Sequence, residues 1–332
     1  MTSGDARVFS GIQPTGDLHL GNWLGAIERW IELTDRYECI YAIVDLHAIT
    51  VPCEPEALRA SVIEVAVALL AAGLDPDRCI LYVQSDVAEH AQLAWLLNTV
   101  TPLGELTRMT QFKDKSERVE AVSAGLLNYP VLQAADILLF RAGLVPVGED
   151  QRQHLELARE IARRWNARFG ELFPEPQPLI GAAPRVLGLD GVTKMSKSQD
   201  NTIPMLAGPD ELWSAVRTAV TDPARVRKDD PGNPNVCNVY ALHAHFTDPT
   251  ARAEIEVRCQ TATIGCVQCK RLLADAIAAR LAPVRERAAE FRARPALVRE
   301  ILGDGAARAR AIAGPVLAEA GERMGLGAPP AA

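Results

Sequence analysis

Through the first two hundred residues the apolar positions switch between two periods. "RVFSGIQ" (7–13), "CIYAIVDL" (39–46) and "CILYVQSDV" (79–87) are short runs rich in β-branched and aromatic side chains, the composition of buried strands. Between them, "LGNWLGAIERWIELT" (20–34) and "PEALRASVIEVAVALLAAG" (55–73) repeat their apolar residues every three or four positions, as helices do. Strand and helix in alternation predict a parallel sheet covered by helices, the doubly wound (Rossmann-type) α/β class. Beyond about residue 205 the pattern is helical throughout. In "CKRLLADAIAARLAPVRERAAEF" (269–291), Leu273, Ile277, Leu281 and Val284 form one apolar helix face. "PALVREILGDGAARARAIAGPVLAEAGERMGL" (295–326) continues in the same style, with Gly303 and Gly305 predicted to mark a turn between two helices. The expected organisation is an α/β domain over 1–205 and a helical domain over 206–332.

Composition narrows the picture. A chain of 332 residues suits one large or two ordinary domains. Its most apolar early run, "SVIEVAVALLAAGL" (61–74), is interrupted by Glu64 and too short to span a bilayer. "MTSGDARVFSG" has no basic stretch followed by an apolar one, so a cytoplasmic protein with no membrane partner is expected. The net charge of −7 hides an asymmetry: from residue 251 onward thirteen Lys plus Arg face nine Asp plus Glu, or +4, leaving −11 for the rest. A basic tail on an acidic body suits nucleic acid; solvated arginines on amphipathic helices fit the charge equally well.

In a doubly wound fold, ligands bind beyond the carboxyl ends of the strands. The first such loop, "SGIQPTGDLHLGNWLGA" (10–26), carries Gly11, Gly16 and Gly21, a stiffening Pro14, and a helix start near His19 to Asn22. A helix start offers unpaired N–H groups and a positive dipole end to an anion, and His19 and Asn22, three apart, share a face of that turn. A tight connection with an incidental histidine accounts for this loop alone just as well. Far downstream, "GVTKMSKSQDN" (191–201) gathers Lys194, Lys197, Ser196 and Ser198 on one short segment, two ammonium groups and two hydroxyls. The cysteines form a third pattern. Of seven, Cys237, Cys259, Cys266 and Cys269 cluster in the helical part, whereas Cys39, Cys53 and Cys79 are scattered. In a cytosolic setting such a cluster reads as metal ligands before disulfides. Zinc sites with four cysteines usually use two Cys-x-x-Cys hairpins; one is present here, and the irregular remainder suits an iron–sulfur cluster at least as well. Four unrelated thiols are the plain alternative.

"PTGDLHLGN" and "KMSKS" together resemble the paired signature of class I aminoacyl-tRNA synthetases, with Asn22 where that signature has its last histidine. More narrowly, "FSGIQPTG", "VDLHAIT", "YPVLQAADILLF", "VPVGEDQ" and "KMSKS", in that order, resemble bacterial tryptophanyl-tRNA synthetases, and the resemblance extends over nearly the whole chain. It implies activation of L-tryptophan by ATP with Mg2+, transfer to tRNA(Trp), and a homodimer. It implies that Lys194, Ser196, Lys197 and Ser198 meet the pyrophosphate, that Met195 between them belongs to the ATP site, and that Gln13, Pro14, Thr15, His19, Gly21 and Asn22 line the nucleotide. Gly148, Glu149, Asp150 and Val186 would take the ribose and adenine, and Gln111 and Lys115 would reach ATP from a mobile loop. Asp150 also reads as a helix N-cap. Phe9, His47, Val145 and Val147 would wall the indole, Asp136 would accept its N–H, and Tyr129 and Gln151 would meet the ammonium. Gln133 replaces the methionine frequent in bacterial members, which makes the pocket floor more polar. His47 also reads as a core histidine. Some members hold a [4Fe-4S] cluster on a nearly identical cysteine spacing, which favours that group over zinc. Two further readings fit the sequence: a ligase for tyrosine, and a paralogue that binds tryptophan or its adenylate without charging tRNA.

Overall fold

A computed structural model describes residues 6–116, 121–148, 151–179 and 186–327. Strands β1 (Arg7–Ile12), β2 (Glu38–Ile43), β3 (Cys79–Val83), β4 (Leu144–Val145) and β5 (Gln177–Pro178) form one parallel sheet in the order β3-β2-β1-β4-β5. Successive side chains of a strand point to opposite faces. Cys39, Tyr41 and Ile43 of β2 therefore join one core with the helices Pro55–Ala72 and Cys266–Arg292, while Ile40 and Ala42 join a second with Ala124–Leu138 and Arg152–Phe169. Burial on both faces is why β2 and β3 read as unbroken apolar runs. Both end sooner than the sequence predicts: Asp45–Ala48 already coils into a helix and Gln84–Asp86 into a 3-10 turn.

Strand order reverses between β1 and β4, which opens a crevice beyond their carboxyl ends, the place where such sheets bind ligands. Local signals build the helices that flank it. Pro55 occupies the first turn of Pro55–Ala72, and Gly73 closes it with a φ of 112°. The Ser123 hydroxyl accepts from Leu126 N at 3.1 Å at the start of Ala124–Leu138. Leu273, Ile277, Leu281 and Val284 are all buried, as their spacing predicts. None of the helices among the described residues is long and apolar enough to cross a membrane.

The predicted turn at Gly303 and Gly305 does not exist. Pro295–Arg323 is one helix passing through both residues. Gly305 serves close packing: this helix lies against β3 so tightly that a Cβ there would stand 1.9 Å from the Leu81 carbonyl oxygen. Gly303 faces nothing within 4 Å. Gly305→Ala is expected to destabilise the protein by about 3 kcal/mol, the upper part of the range for overpacking, because the obstacle is backbone. Gly303→Ala gains roughly 0.5–1 kcal/mol of helix propensity. Urea unfolding of both variants checks the contrast.

Candidate active site: a lysine loop, a helix start and a buried carboxylate

The segments around residues 15 and 197 meet. Lys197 Nζ donates to the Thr15 carbonyl at 2.6 Å, across 182 positions of sequence. A backbone seam joins the same regions: Leu20 N bonds Ile203 O at 2.9 Å and Met205 N bonds Leu18 O at 2.8 Å. Met195 is buried, and a side chain added at Gly21 would meet its Cβ at 3.2 Å. The methionine thus anchors the loop in the core beside the helix start while its neighbours face the crevice. Met195 N also bonds Val186 O at 3.0 Å, which places Val186 against the loop.

His19 and Asn22 do more for their own helix than the sequence suggests. His19 Nδ1 accepts from Asn22 N at 3.3 Å, and Asn22 Oδ1 accepts from His19 N at 3.1 Å, a reciprocal capping box. An accepting Nδ1 is unprotonated, so a neutral His19 carries its proton on Nε2. Burial, then the charges of Lys197 and Lys194, push its pKa down to about 4. Both lysines therefore bear on the helix start. The sign follows from linkage: the unfolded chain protonates near pH 6.5 and the folded one near 4, so acidification through that window removes stability. His19→Asn, which keeps a capping acceptor and does not titrate, is expected to flatten that limb of a stability–pH curve.

The second centre is Asp136, buried within Ala124–Leu138. Its Oδ1 accepts from His90 Nδ1 at 2.6 Å and Gln84 Nε2 at 2.7 Å, and its Oδ2 from His47 Nε2 at 2.7 Å. Burial raises the carboxyl pKa, but His90 and His47 outweigh it and hold the group well below the usual carboxylate range. His90 Nε2 in turn lies 2.8 Å from the Tyr82 hydroxyl. A carboxylate offers about four acceptor positions; three are used, and one on Oδ2 is left. Around it, Phe9 stacks on Phe140 at 5.7 Å and His47 meets Tyr129 edge-on at 6.4 Å. Tyr129 Oη donates to Gln111 Oε1 at 3.1 Å and lies 2.9 Å from His154 Nε2. Gln133 Nε2 donates to Gln151 Oε1 at 3.4 Å, and Val145 is buried with Val147 half-buried.

Of the residues expected in the aromatic slot, Asp136, His47, Phe9 and Tyr129 thus share one network that Gln111 reaches, while Gln133 and Gln151 pair with each other. Gln84, His90, Tyr82 and His154 belong to it and were not singled out from sequence. Neither Gln84 nor His90 carries a signal of its own, since Gln84 falls inside the run 79–87 expected as a strand and His90 is a lone histidine. Gln13 and Thr15 are exposed and Pro14 is buried in the loop after β1, and Gly148 lies exposed beyond β4. Glu149 and Asp150 lie outside the described residues, as do the side chains of Lys115 and Ser198.

Cys237 precedes the helix Asn238–Phe246, Cys259 is near the end of Pro249–Gln260, and Cys266 and Cys269 open Cys266–Arg292. Burial, then the charges of Cys237, Cys259 and Cys266, push the Cys269 thiol up to about 12, so the four share one electrostatic neighbourhood. Arg225 Nη1 lies 3.8 Å from Cys259 Sγ. Among the described residues, however, no three or more His, Cys, Asp or Glu side chains are grouped so as to hold a metal ion, these cysteines included.

A parallel sheet with its switch point between β1 and β4, a capped helix start beyond β1 and a lysine loop folded onto it define a class I aminoacyl-tRNA synthetase architecture. The family described as tRNA synthetases class I (W and Y) matches residues 1–282. The chain belongs to that family. It is 49% identical over 326 residues to a tryptophan–tRNA ligase of Deinococcus radiodurans, covering 97% of this chain and 99% of that one. It is 46% identical over 335 residues to tryptophan–tRNA ligase 2 of Streptomyces avermitilis, covering 98% of each. Tryptophanyl-tRNA synthetase from Campylobacter jejuni, solved with ADP and tryptophan, superposes with a TM-score of 0.90 at 37% identity, covering 96% of this chain and 100% of that one.

Proposed function

We propose that this chain is a tryptophan–tRNA ligase: it converts L-tryptophan and ATP to tryptophanyl-adenylate and pyrophosphate, then passes tryptophan to the 3′ end of tRNA(Trp). The observation that carries the reading is the Lys197–Thr15 contact, which folds the lysine loop over the loop beyond β1. In this reaction the tryptophan carboxylate, already ionised, attacks the α-phosphorus and pyrophosphate leaves. No general base is needed; the protein's task is to stabilise charge on the leaving group. Lys194, Ser196, Lys197 and Ser198 do so from one side, and His19 Nε2–H with the helix start from the other. Gln13, Pro14, Thr15, Gly21 and Asn22 line the phosphates, Gly148, Glu149, Asp150 and Val186 hold the nucleoside, and Lys115 and Gln111 approach from the helix Thr110–Ser116. Mg2+ supplies charge neutralisation when bound.

Asp136 Oδ2 takes the indole N–H between Phe9, His47, Val145 and Val147, with Gln133 at the floor, and Tyr129 and Gln151 take the ammonium. Tyrosine's phenol O–H is also a donor, so rejection of tyrosine rests on the shape of the slot around that acceptor. The assay is charging of tRNA(Trp) with labelled tryptophan, with tyrosine in parallel. Charging with tryptophan alone is expected; charging with tyrosine alone, or adenylate without charging, contradicts the reading.

Residues 1–205 carry ATP and tryptophan in this proposal, and the helical part, 206–332, whose excess of basic side chains lies from residue 251 onward, meets the tRNA. The enzyme works in the cytoplasm as a homodimer, a state favoured by the large apolar side chains left in water at Ile49, Trp95 and Leu103. Cys237, Cys259, Cys266 and Cys269 are the residues that would hold a [4Fe-4S] cluster there. Their shared neighbourhood and the guanidinium of Arg225 beside Cys259 would suit an anionic group. Anaerobically purified protein lacking both a broad visible absorption band and stoichiometric iron would remove the cluster.

A further inference from the structure

The lysine loop is shaped from within by one amide. Asn201 is 2% exposed, and its side-chain bonds all go to residues 190–196. Oδ1 accepts from Ser196 N at 2.8 Å, while Nδ2 donates to Asp190 Oδ2 at 2.9 Å, Thr193 Oγ1 at 2.8 Å and Lys194 O at 3.3 Å. Asp190 Oδ1 accepts from Val192 N at 2.9 Å and Thr193 N at 3.0 Å, so the turn before Lys194 is tied to the same centre. Gly188 makes room for it: a Cβ there would stand 2.0 Å from Asn201 Nδ2. The stem of the loop is held in turn by the helical part, since Asn238 Nδ2 donates to Gly188 O at 2.8 Å.

We propose that Asn201 is a positioning residue for adenylate formation, fixing the backbone that carries Lys194, Ser196 and Lys197 by bonding Ser196 N and Lys194 O at once. This rests on the assignment of those three residues to the pyrophosphate. Only an amide supplies donor and acceptor in one plane at this spot. Aspartate keeps the acceptor for Ser196 N, loses the donor to Lys194 O, and sets a carboxylate against Asp190. Alanine leaves the loop with two alternatives, solvated or collapsed, in place of one shape. A general structural role would spread its effect over all ligands; a positioning role confines it to the step in which pyrophosphate charge develops.

The test is tryptophan-dependent exchange of labelled pyrophosphate into ATP by the full chain, with tryptophan binding measured separately by calorimetry without ATP. Asn201→Ala is expected to lower kcat about 100-fold, the effect of an ångström-scale misplacement, with the Kd for tryptophan within about twofold of wild type. Asn201→Asp, which preserves volume, is expected to lose at least about tenfold in kcat with tryptophan binding kept. In a Lys197→Ala background, Asn201→Ala is expected to cost clearly less than its own about 100-fold, because one of the three side chains it positions is already gone. An Asn201→Ala enzyme within about threefold of wild-type kcat, a matching loss of tryptophan affinity in both variants, or full additivity with Lys197→Ala would each overturn the proposal. A wild type that exchanges no pyrophosphate removes the underlying function as well. A wild type that exchanges beside an equally fast Asn201→Ala removes this inference alone.

Discussion

Asp136→Ala is expected to destabilise the fold by about 3–5 kcal/mol, since three buried donors lose their acceptor at about 1–3 kcal/mol each. The cause is specific. His47 Nε2, His90 Nδ1 and Gln84 Nε2 all donate to this one carboxylate, and each would be left buried without its acceptor. Gln84 and His90 are fully buried, so water cannot take the carboxylate's place cheaply. Urea unfolding gives the stability loss. At a concentration of protein where the variant is still folded, the Kd for tryptophan should rise roughly 10- to 100-fold, the worth of a hydrogen bond to a charged group. The benzothiophene isostere of tryptophan, in which sulfur replaces N–H, separates the two effects. Wild type should reject it by a comparable factor and Asp136→Ala should not distinguish the two. If the variant still prefers tryptophan, the indole N–H is read elsewhere.

Lys197→Ala should lower kcat for pyrophosphate exchange by about 10²–10³, or roughly 2–4 kcal/mol of barrier, as when one preorganised donor to a developing charge is removed. Its surroundings argue for a role in the transition state more than in ATP binding. Burial works against the ammonium and lowers its pKa, with Asp17 pulling the other way. The ammonium's partner here is a neutral carbonyl, that of Thr15. A cation so placed gains most when a full negative charge appears beside it, and contacts that strengthen along the reaction raise the rate where uniform binding would not. The Kd for tryptophan should be unchanged within about twofold, since the slot is built from other segments. Lys197→Arg keeps the charge and changes its shape, and is expected to recover only part of the loss.

Much of this was legible in the sequence, and the limits have physical causes. The two periods of apolar residues foretold the parallel sheet and the long helices, because burial on both faces of β2 and on one face of Cys266–Arg292 leaves a direct compositional trace. Strand ends were less legible, since Val44 and Gln84 continue apolar or polar runs without marking where pairing stops. Gly305 was misread because a glycine needed for a 1.9 Å approach to a carbonyl looks the same, in one sequence, as one that ends a helix. Asp136 stood out as an acid within an apolar helix, where it has to be paired. Two of its partners, His90 and Gln84, did not stand out: they come from 46 and 52 positions away. His19 and Asn22 were read as anion ligands, and their capping of each other's backbone is geometry that spacing alone leaves undecided. Asn201 carries no signal of its own in the sequence, because its importance lies in four bonds that exist only once the loop closes.

The central claim is that residues 13–22 and 194–198 make one cradle for the triphosphate, beside an aromatic slot ending at Asp136. A crystal structure with tryptophan and a non-hydrolysable ATP analogue tests it most directly. The account predicts terminal phosphates between Lys197 and the His19 helix start, with the indole nitrogen within hydrogen-bond distance of Asp136 Oδ2. Phosphates bound away from either segment, or an indole turned from Asp136, would contradict it.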